Sequence, residues 1–306
     1  MVFDVSLSED VLLSFQIEAG AVRGRLTRLG PALDSILSAH GYPQPVASLL
    51  AETLALACAL AGMLKFDGVF ALQMQGDGPV SLVVADVTSG GDLRGYARWD
   101  AARLSEGLAG VSLLGKGQLA FTVDQGPDTE RYQGIVALEG DSLAACVRDY
   151  FTRSEQLETA FRVAARPPSG DHGWQAAVAM AQRMPLGPTS PILTGEEADD
   201  GWRRAVILLD SLTDAELLDP NLAPARLAFR LYHAEGLEVF TERPIRANCR
   251  CSPERVAATL RSFPRDEIGG MRAADGRVVV TCEFCRAEYG FDDAALDRLY
   301  NALDKD

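Results

Sequence analysis

Four cysteines near the end of the chain have the residue type and spacing needed to bind a metal ion. Cys249 and Cys251 form a C-x-C pair, and after thirty intervening residues Cys282 and Cys285 form a C-x-x-C pair. Each pair supplies two sulfurs from one short loop, and four thiolates are the ligand set of a closed tetrahedral zinc site. We therefore predict one Zn²⁺ per chain, bound by all four cysteines.

The spacing and the charge of this segment leave two functions open. One is a structural zinc ribbon, an adaptor that binds one defined partner constitutively. The other is a redox switch, because the crowded sulfurs of a C-x-C pair can pair with each other once the metal leaves. Residues 243–306 hold 11 basic and 11 acidic residues. The segment therefore lacks the basic charge that is typical of nucleic-acid-binding ribbons.

The remaining residues that could do chemistry favour structural roles. Cys58 lies in an all-apolar helix and Cys146 lies on an apolar helical face, so we expect both to be unreactive core residues. The three histidines are scattered and none accompanies a nucleophile. Phosphate-binding loops, dinucleotide-binding motifs and catalytic triads are absent from the sequence. We predict that the protein is not an enzyme and binds no nucleotide.

Composition and charge limit the partners. The chain has 306 residues and a formal charge of −14, and upstream of residue 243 it has 18 basic against 32 acidic residues. An anionic body disfavours nucleic acid and anionic membranes. The start lacks a basic and apolar leader, and the longest uncharged apolar run, 54–64, is about half a bilayer span. We expect a cytoplasmic protein, in which cysteines stay reduced unless they bind metal or meet an oxidant.

The pattern of apolar residues predicts an α+β protein in three parts. Residues 1–166 alternate strand and helix patterns and predict a mixed domain with an antiparallel sheet. Residues 167–240 predict a linker region, with Pro- and Gly-rich linkers at 167–173 and 185–200 and one strand between them. Residues 241–306 predict a small zinc-binding domain.

Two amphipathic helices are predicted inside the linker region, each with one apolar face. The first face comprises Trp202, Ala205, Val206, Leu209 and Leu212, and the second comprises Leu222, Ala225, Ala228, Phe229 and Tyr232. Because short helices between linkers need a surface to cover, we expect both to dock on the N-terminal domain.

The C-terminal domain has its own predicted order. A helix begins after the C-x-C pair, with Ser252 as its N-cap and Pro253 in its first turn. A short helix near 266–271, a strand hairpin that carries the second pair at its turn, and a final helix over 292–304 follow.

Several long segments resemble one known family. They are QGDGPVSLVVADVTSGGDLRGYAR at 75–98, ERYQGIVALEG at 130–140, SLAACVRDYFTRSEQL at 142–157, CRCSPERV at 249–256 and VTCEFCRAEYGFD at 280–292. Along almost its whole length the chain resembles the heat-shock protein 33 family of redox-regulated holdase chaperones, and all four family cysteines are present.

The resemblance implies a specific mechanism. The reduced, zinc-bound protein would be a largely inactive monomer. Hypochlorous acid, or peroxide combined with mild unfolding, would form the disulfides Cys249–Cys251 and Cys282–Cys285 and expel zinc. The C-terminal domain and adjoining linker would then unfold, and the protein would form a homodimer. Newly exposed apolar surface would bind unfolding client proteins without ATP.

Overall fold

The computed structural model describes residues 9–18, 21–126, 129–185, 194–273 and 275–301. The strands in these residues are β1 Val11–Ile17, β2 Val22–Leu29, β3 Val69–Gly76, β4 Val80–Thr88, β5 Asp92–Trp99, β6 Gly117–Asp124, β7 Tyr132–Ala137, β8 Thr159–Arg166, β9 Gln175–Arg183, β10 Leu237–Val239, β11 Arg243–Pro244, β12 Arg246–Ala247, β13 Val278–Thr281 and β14 Glu288–Phe291. The helices are α1 Pro31–Ser38, α2 Gln44–Ala61, α3 Leu143–Tyr150, α4 Gly195–Asp210, α5 Asp214–Leu217, α6 Pro224–Tyr232, α7 Pro253–Leu260, α8 Arg265–Gly269 and α9 Asp293–Asn301.

The chain divides into two compact units, Met1–Ala247 and Asn248–Asp306. The first unit contains two sheets. In the first sheet the strand order is β10-β1-β2-β9-β8, with β11 also paired to β1, and every pairing is antiparallel. In the second sheet the order is β12-β5-β4-β3-β6-β7, antiparallel except for the short parallel pairing of β12 with β5. The predicted α+β class with antiparallel sheets is confirmed.

Helix α2 packs in the core between the two sheets. Fourteen of its 18 residues are buried, and the helix packs against β2, β8 and β9 of the first sheet and against β3, β4 and β5 of the second. By length and composition α2 could cross a membrane, but 78% of it is buried inside the protein. The burial explains its composition, because a helix covered all round is apolar all round.

Strand β9 is buried on both faces, which explains its unbroken apolar sequence. Ala176, Val178 and Met180 face α2, and the alternate alanines at 177, 179 and 181 face the opposite side of the sheet. The prediction of one strand in this stretch is correct. Its assignment to a linker region is not supported by the packing, because β9 lies between β2 and β8 inside the first sheet.

Helices α4, α5 and α6, here called the covering helices, pack on the outer face of the first sheet. The predicted linker at 185–200 is wrong in part, because α4 already begins at Gly195. Thr194 and Glu197 form a capping box in which the Thr194 Oγ1 accepts from the Glu197 N–H at 3.3 Å and the Glu197 Oε2 accepts from the Thr194 N–H at 2.8 Å. Residues 186–193 of that linker lie outside the described residues.

The predicted apolar face of α4 is confirmed, and that of α6 is wrong at one residue. Trp202, Ala205 and Leu209 are buried against the sheet. In α6 the buried positions include Leu227 and exclude Phe229, which is 49% exposed and lies against His233 with ring centroids 5.3 Å apart.

Three short strands, β10 to β12, connect the covering helices to the second unit. They bind both sheets, since β10 and β11 pair with β1 and β12 pairs with β5. Ile245 lies between β11 and β12, and its side chain is buried in the core between the two sheets. Its N–H donates to the Asp10 carbonyl at 3.0 Å. The predicted start of the C-terminal domain, residue 241, therefore precedes the boundary of the compact unit by seven residues.

The second unit has the predicted order of α7, α8, the hairpin β13–β14 and α9. Residues 302–304 of the predicted last helix lie outside the described residues. The four described hydrophobic residues that are fully buried in this unit are Leu260, Ile268, Val278 and Leu296. A core this small gives a fold of about sixty residues little stability of its own.

Candidate functional site

The two cysteine pairs lie on two separate turns of the second unit. Cys249 and Cys251 stand just before α7, where the Ser252 Oγ caps the helix by accepting the Arg255 N–H at 3.3 Å. Cys251 therefore lies beside a helix N-terminus, whose partial positive charge favours a thiolate.

The second pair lies at the turn of the β13–β14 hairpin. The Cys282 N–H donates to the Ala287 carbonyl at 2.8 Å, and the Arg286 N–H donates to the Cys282 carbonyl at 2.9 Å. Arg286 has a left-handed backbone with φ of 62°, which is costly for a residue with a Cβ atom. This conformation closes the turn and brings Cys285 back towards Cys282.

The four sulfurs converge on one point. All four Sγ atoms lie within 4.8 Å of one another. The Cys249–Cys282 Sγ distance is 3.8 Å and the Cys251–Cys285 distance is 3.4 Å. Four sulfurs at about 2.3 Å from a tetrahedral zinc ion stand about 3.8 Å apart. The donor set and its spacing therefore fit a metal ion of this kind, and all four cysteines are free thiols rather than disulfides.

The surroundings of the sulfurs give Cys251 and Cys285 different thiol pKa values. Burial would raise the pKa of Cys251, but hydrogen bonds from Tyr289 and from the other three cysteines outweigh it and lower that pKa to about 7. Burial, together with the bonds to the other sulfurs, raises the pKa of Cys285 to about 12. The Tyr289 Oη donates to the Cys251 Sγ at 3.0 Å. In the metal-free site Cys251 therefore becomes a thiolate at a lower pH than Cys285.

The other two cysteines lie in the first unit and are not among the four clustered thiols. Cys58 in α2 and Cys146 in α3 are both buried in the core of the first unit. Burial raises the pKa of each thiol, with Asp10 adding to the effect at Cys58 and Asp149 at Cys146. A buried neutral thiol is a poor nucleophile, as the sequence predicted for both.

The outer face of the first sheet is the second feature of functional interest. Beneath the covering helices this face presents Leu13, Phe15, Ile17, Val22, Leu26 and the alternate alanines of β9. The Phe15 ring stacks on the Tyr232 ring of α6 with centroids 5.5 Å apart. A Cβ atom on Gly24 would lie 1.9 Å from the Phe15 ring, so the glycine makes room for this contact.

One buried arginine ties the covering helices to that face. Arg28 of β2 donates through Nε and Nη2 to the Leu217 carbonyl, at 3.2 and 2.9 Å, and through Nη1 to the Leu222 carbonyl at 2.8 Å. These carbonyls are at the end of α5 and just before α6. Desolvation lowers the pKa of Arg28, while Asp219 and Glu242 act to raise it.

Sequence reasoning missed both Arg28 and Tyr289. Tyr289 faces the metal site because it pairs with Val280 across the hairpin, two residues before the second cysteine pair. Side chains alternate between the two faces of a strand, so the sequence next to a C-x-x-C turn could have shown that Tyr289 lies on the same face as the cysteines. Arg28 carries no local signal, because its partners are 189 and 194 residues away along the chain.

These features define a class of protein with a large α+β unit, an apolar sheet face under a helical cover, and a small unit built round four thiols. The sequence profile of the Hsp33 protein family matches residues 10–292. The chain belongs to the Hsp33 family, a family of chaperones, as its sequence predicted.

Related proteins match this chain along most of their lengths. A 33 kDa chaperonin of Caulobacter vibrioides (strain NA1000 / CB15N) is 40% identical over 301 residues, which cover 94% of this chain and 97% of the relative. A 33 kDa chaperonin of Ectopseudomonas mendocina is 39% identical over 280 residues, which cover 91% of each chain.

A solved structure has the same fold. The 33 kDa chaperonin (heat shock protein 33 homolog) of Thermotoga maritima superposes with a TM-score of 0.81. The match covers 98% of this chain and 100% of that chain at 21% sequence identity. At this identity the likeness supports the fold alone.

Proposed function

We propose that this protein is a redox-regulated, ATP-independent holdase that binds unfolding client proteins in the cytoplasm. In the reduced state one Zn²⁺ is bound by Cys249, Cys251, Cys282 and Cys285, and the covering helices hide the apolar sheet face. Bound zinc joins the two cysteine loops and so holds the second unit folded. Oxidation of the thiols removes this restraint and leads to exposure of apolar surface and to dimerisation.

The observation that carries the proposal is the convergence of two distant loops in a unit with a very small core. The four sulfurs lie within 4.8 Å of one another, while the described hydrophobic core of this unit comprises four fully buried residues. A structural zinc site contributes about 10–16 kcal/mol to folds of this size. The metal, rather than the hydrophobic core, then supplies most of the stability of the unit.

The pairing of the disulfides decides whether oxidation acts as a switch. Disulfides inside each pair, Cys249–Cys251 and Cys282–Cys285, close loops of three or four residues and stabilise by about 1.5–2 kcal/mol each on loop entropy. Disulfides across the pairs would close loops of about 34 residues and stabilise by about 4 kcal/mol each. Only the within-pair bonds leave the two loops unjoined, so only they remove the restraint without replacing it.

The electron balance of this step is simple. Each pair of thiolates gives up two electrons and forms one S–S bond, so the four cysteines give up four electrons in total. Two equivalents of hydrogen peroxide accept them and, with four protons, become four molecules of water. The sulfurs lose the negative charges that bind zinc, which is why metal loss accompanies oxidation.

Zinc content and holdase activity measured on the same samples test the proposal. The reduced protein should hold one zinc per chain and leave a heat-denatured client to aggregate. After peroxide at mildly elevated temperature, zinc should be lost, aggregation should be suppressed without ATP, and peptide mapping should find only within-pair disulfides. Cross-pair disulfides, or activity equal before and after oxidation, would overturn the switch; the second outcome would favour a constitutive zinc-ribbon adaptor.

A further inference from the structure

A cavity of about 480 Å³ lies in the first unit beside the C-terminal end of α2. It is lined from both sheets and from the end of α3, and none of its lining residues belongs to the apolar cluster under the covering helices. Its wall is rich in aromatic rings, which are Phe66, Phe70, Phe121, Tyr132, Tyr150 and Phe151. The volume is within the range of pockets that hold small molecules, about 300–1,000 Å³.

The aromatic wall is held in place by its own contacts. The hydroxyls of Tyr132 and Tyr150 both donate to the Glu155 Oε1 at 2.6 Å, and the two hydroxyl oxygens are 2.9 Å apart. The Tyr150 ring also packs on Phe121, with centroids 4.4 Å apart. The wall is therefore preformed rather than created by a ligand.

The backbone that positions Glu155 is unusual. Residues Phe151–Glu155 form a π-helical turn, and the following Gln156 has a left-handed backbone with φ of 54°. Turns of this kind are rare and often lie at functional sites. A strained backbone persists only where the surrounding structure maintains it.

The rim of the cavity is basic, in a protein whose formal charge is −14. Arg23 and Lys65 line it, and neither forms an ion pair with any described residue. Among the described lining residues the one carboxylate is that of Glu155, which already accepts from both tyrosine hydroxyls. Arg25, two residues further along β2, adds a third cation near this end of the strand, and burial together with the charges of Arg23 and Arg243 lowers its pKa to about 10.

We propose that this cavity binds an amphipathic monocarboxylate, such as a free medium-chain fatty acid. The alkyl chain would occupy the aromatic cavity, and the carboxylate would lie at the rim beside Arg23 and Lys65. The site is independent of the redox function, so its test can fail without affecting that proposal.

Calorimetric titration of the full-length, reduced, zinc-loaded protein tests whether both the alkyl chain and the carboxylate of the ligand are recognised. Dodecanoate should bind saturably with a Kd below about 1 mM. Each methylene added from octanoate to dodecanoate should tighten binding about three- to fourfold until the cavity is full. Dodecyltrimethylammonium, with the same tail and the opposite charge, should bind at least about tenfold more weakly.

A charge-matched pair of variants tests the rim. Arg23→Gln/Lys65→Gln should weaken dodecanoate binding at least about tenfold. Lys116→Gln/Arg226→Gln removes the same two charges at exposed positions elsewhere in the unit and should leave the affinity unchanged. All four positions are exposed, so both variants should fold, and their melting temperatures verify this.

Methionine methyl resonances locate the ligand. Met63 and Met184 line the cavity, whereas Met271 lies in the second unit. Dodecanoate should shift the first two methyl signals and leave the third in place. The proposal is overturned by the absence of saturable binding, by equal affinity for the cationic detergent, by equal loss in both double variants, or by shifts at Met271 alone.

Discussion

Replacing Arg28 with methionine should release the covering helices while the metal centre stays intact. Arg28 is 5% exposed, and its guanidinium holds the carbonyls of Leu217 and Leu222 at the junction of α5 and α6. Methionine fills similar space but donates no hydrogen bond. Both carbonyls would lose this partner in the docked state and regain water on opening.

The size of the effect follows from these contacts. A buried carbonyl left without a partner costs about 1–3 kcal/mol, so two cost about 2–6 kcal/mol. Burial of the guanidinium carries its own penalty, which lowers the pKa of Arg28 and disappears in the variant. We expect a net loss of about 2–4 kcal/mol in docking free energy, which corresponds to about a 30- to 1,000-fold larger open population.

Hydrogen exchange in the reduced, zinc-loaded protein measures this directly. Protection across 195–232 should fall by that factor, while protection across β3 to β6 should persist. Holdase activity should then appear without oxidant, with one zinc per chain still bound.

A second arginine provides the matched control. Arg162 of β8 also reaches a covering helix, through an ion pair with Asp214 at 2.8 Å, but its side chain is 40% exposed. Exposed ion pairs contribute about 0–1 kcal/mol, so Arg162→Met should change exchange little. If both variants loosen the helices equally, or Arg28→Met leaves exchange at 195–232 within threefold, the buried arginine is not what holds the cover.

Further predictions concern the cover, the core thiols and the metal centre. Leu227→Asp places a charge under α6 and should activate the reduced protein, whereas Phe229→Asp, at an exposed position, should not; a client aggregation assay separates them, and equal activity would contradict the assigned face. Cys58→Ala/Cys146→Ala should keep oxidant-dependent activity, and loss of activation at unchanged melting temperature would implicate these thiols. Tyr289→Phe removes a hydrogen bond from Cys251 and should make peroxide-driven zinc release several-fold faster, followed with a chromogenic chelator; an unchanged rate would show that the bond does not restrain the sulfur. Stripping zinc from reduced protein with a chelator should abolish exchange protection across 248–301 and spare the first unit, and retained protection would show that the small core suffices.

The sequence predicted the elements whose signals are local. Ser252 and Pro253 marked the start of α7, and alternation marked the β13–β14 hairpin, so the metal-binding unit was anticipated element by element. The spacing of the four cysteines was enough to predict one shared site, and the structure brings their sulfurs together.

Features that depend on distant partners could not be predicted in this way. On α6 the helical spacing allows either Leu227 or Phe229 to lie on the buried face with Ala228 and Tyr232. The packing of α6 against α4, β1 and β2 buries Leu227 and leaves Phe229 exposed. The pairing of β9 inside the first sheet depends on β2, about 150 residues earlier in the chain. In contrast, the capping box at Thr194 was readable, but the acidic and Pro-rich composition around it favoured a linker instead.

The three short strands after α6 make the proposed switch depend on two signals at once. Unfolding that starts at Cys249 must first separate β12, Ile245, β11 and β10 from the two sheets before it reaches the covering helices. Burial of Ile245 alone contributes about 1.5–3 kcal/mol. Oxidant would remove the metal-dependent restraint, and warmth would weaken the strand pairing. With peroxide as the oxidant, full exposure of the sheet face would then need both signals together, so that neither a brief peroxide pulse nor heat alone commits the protein.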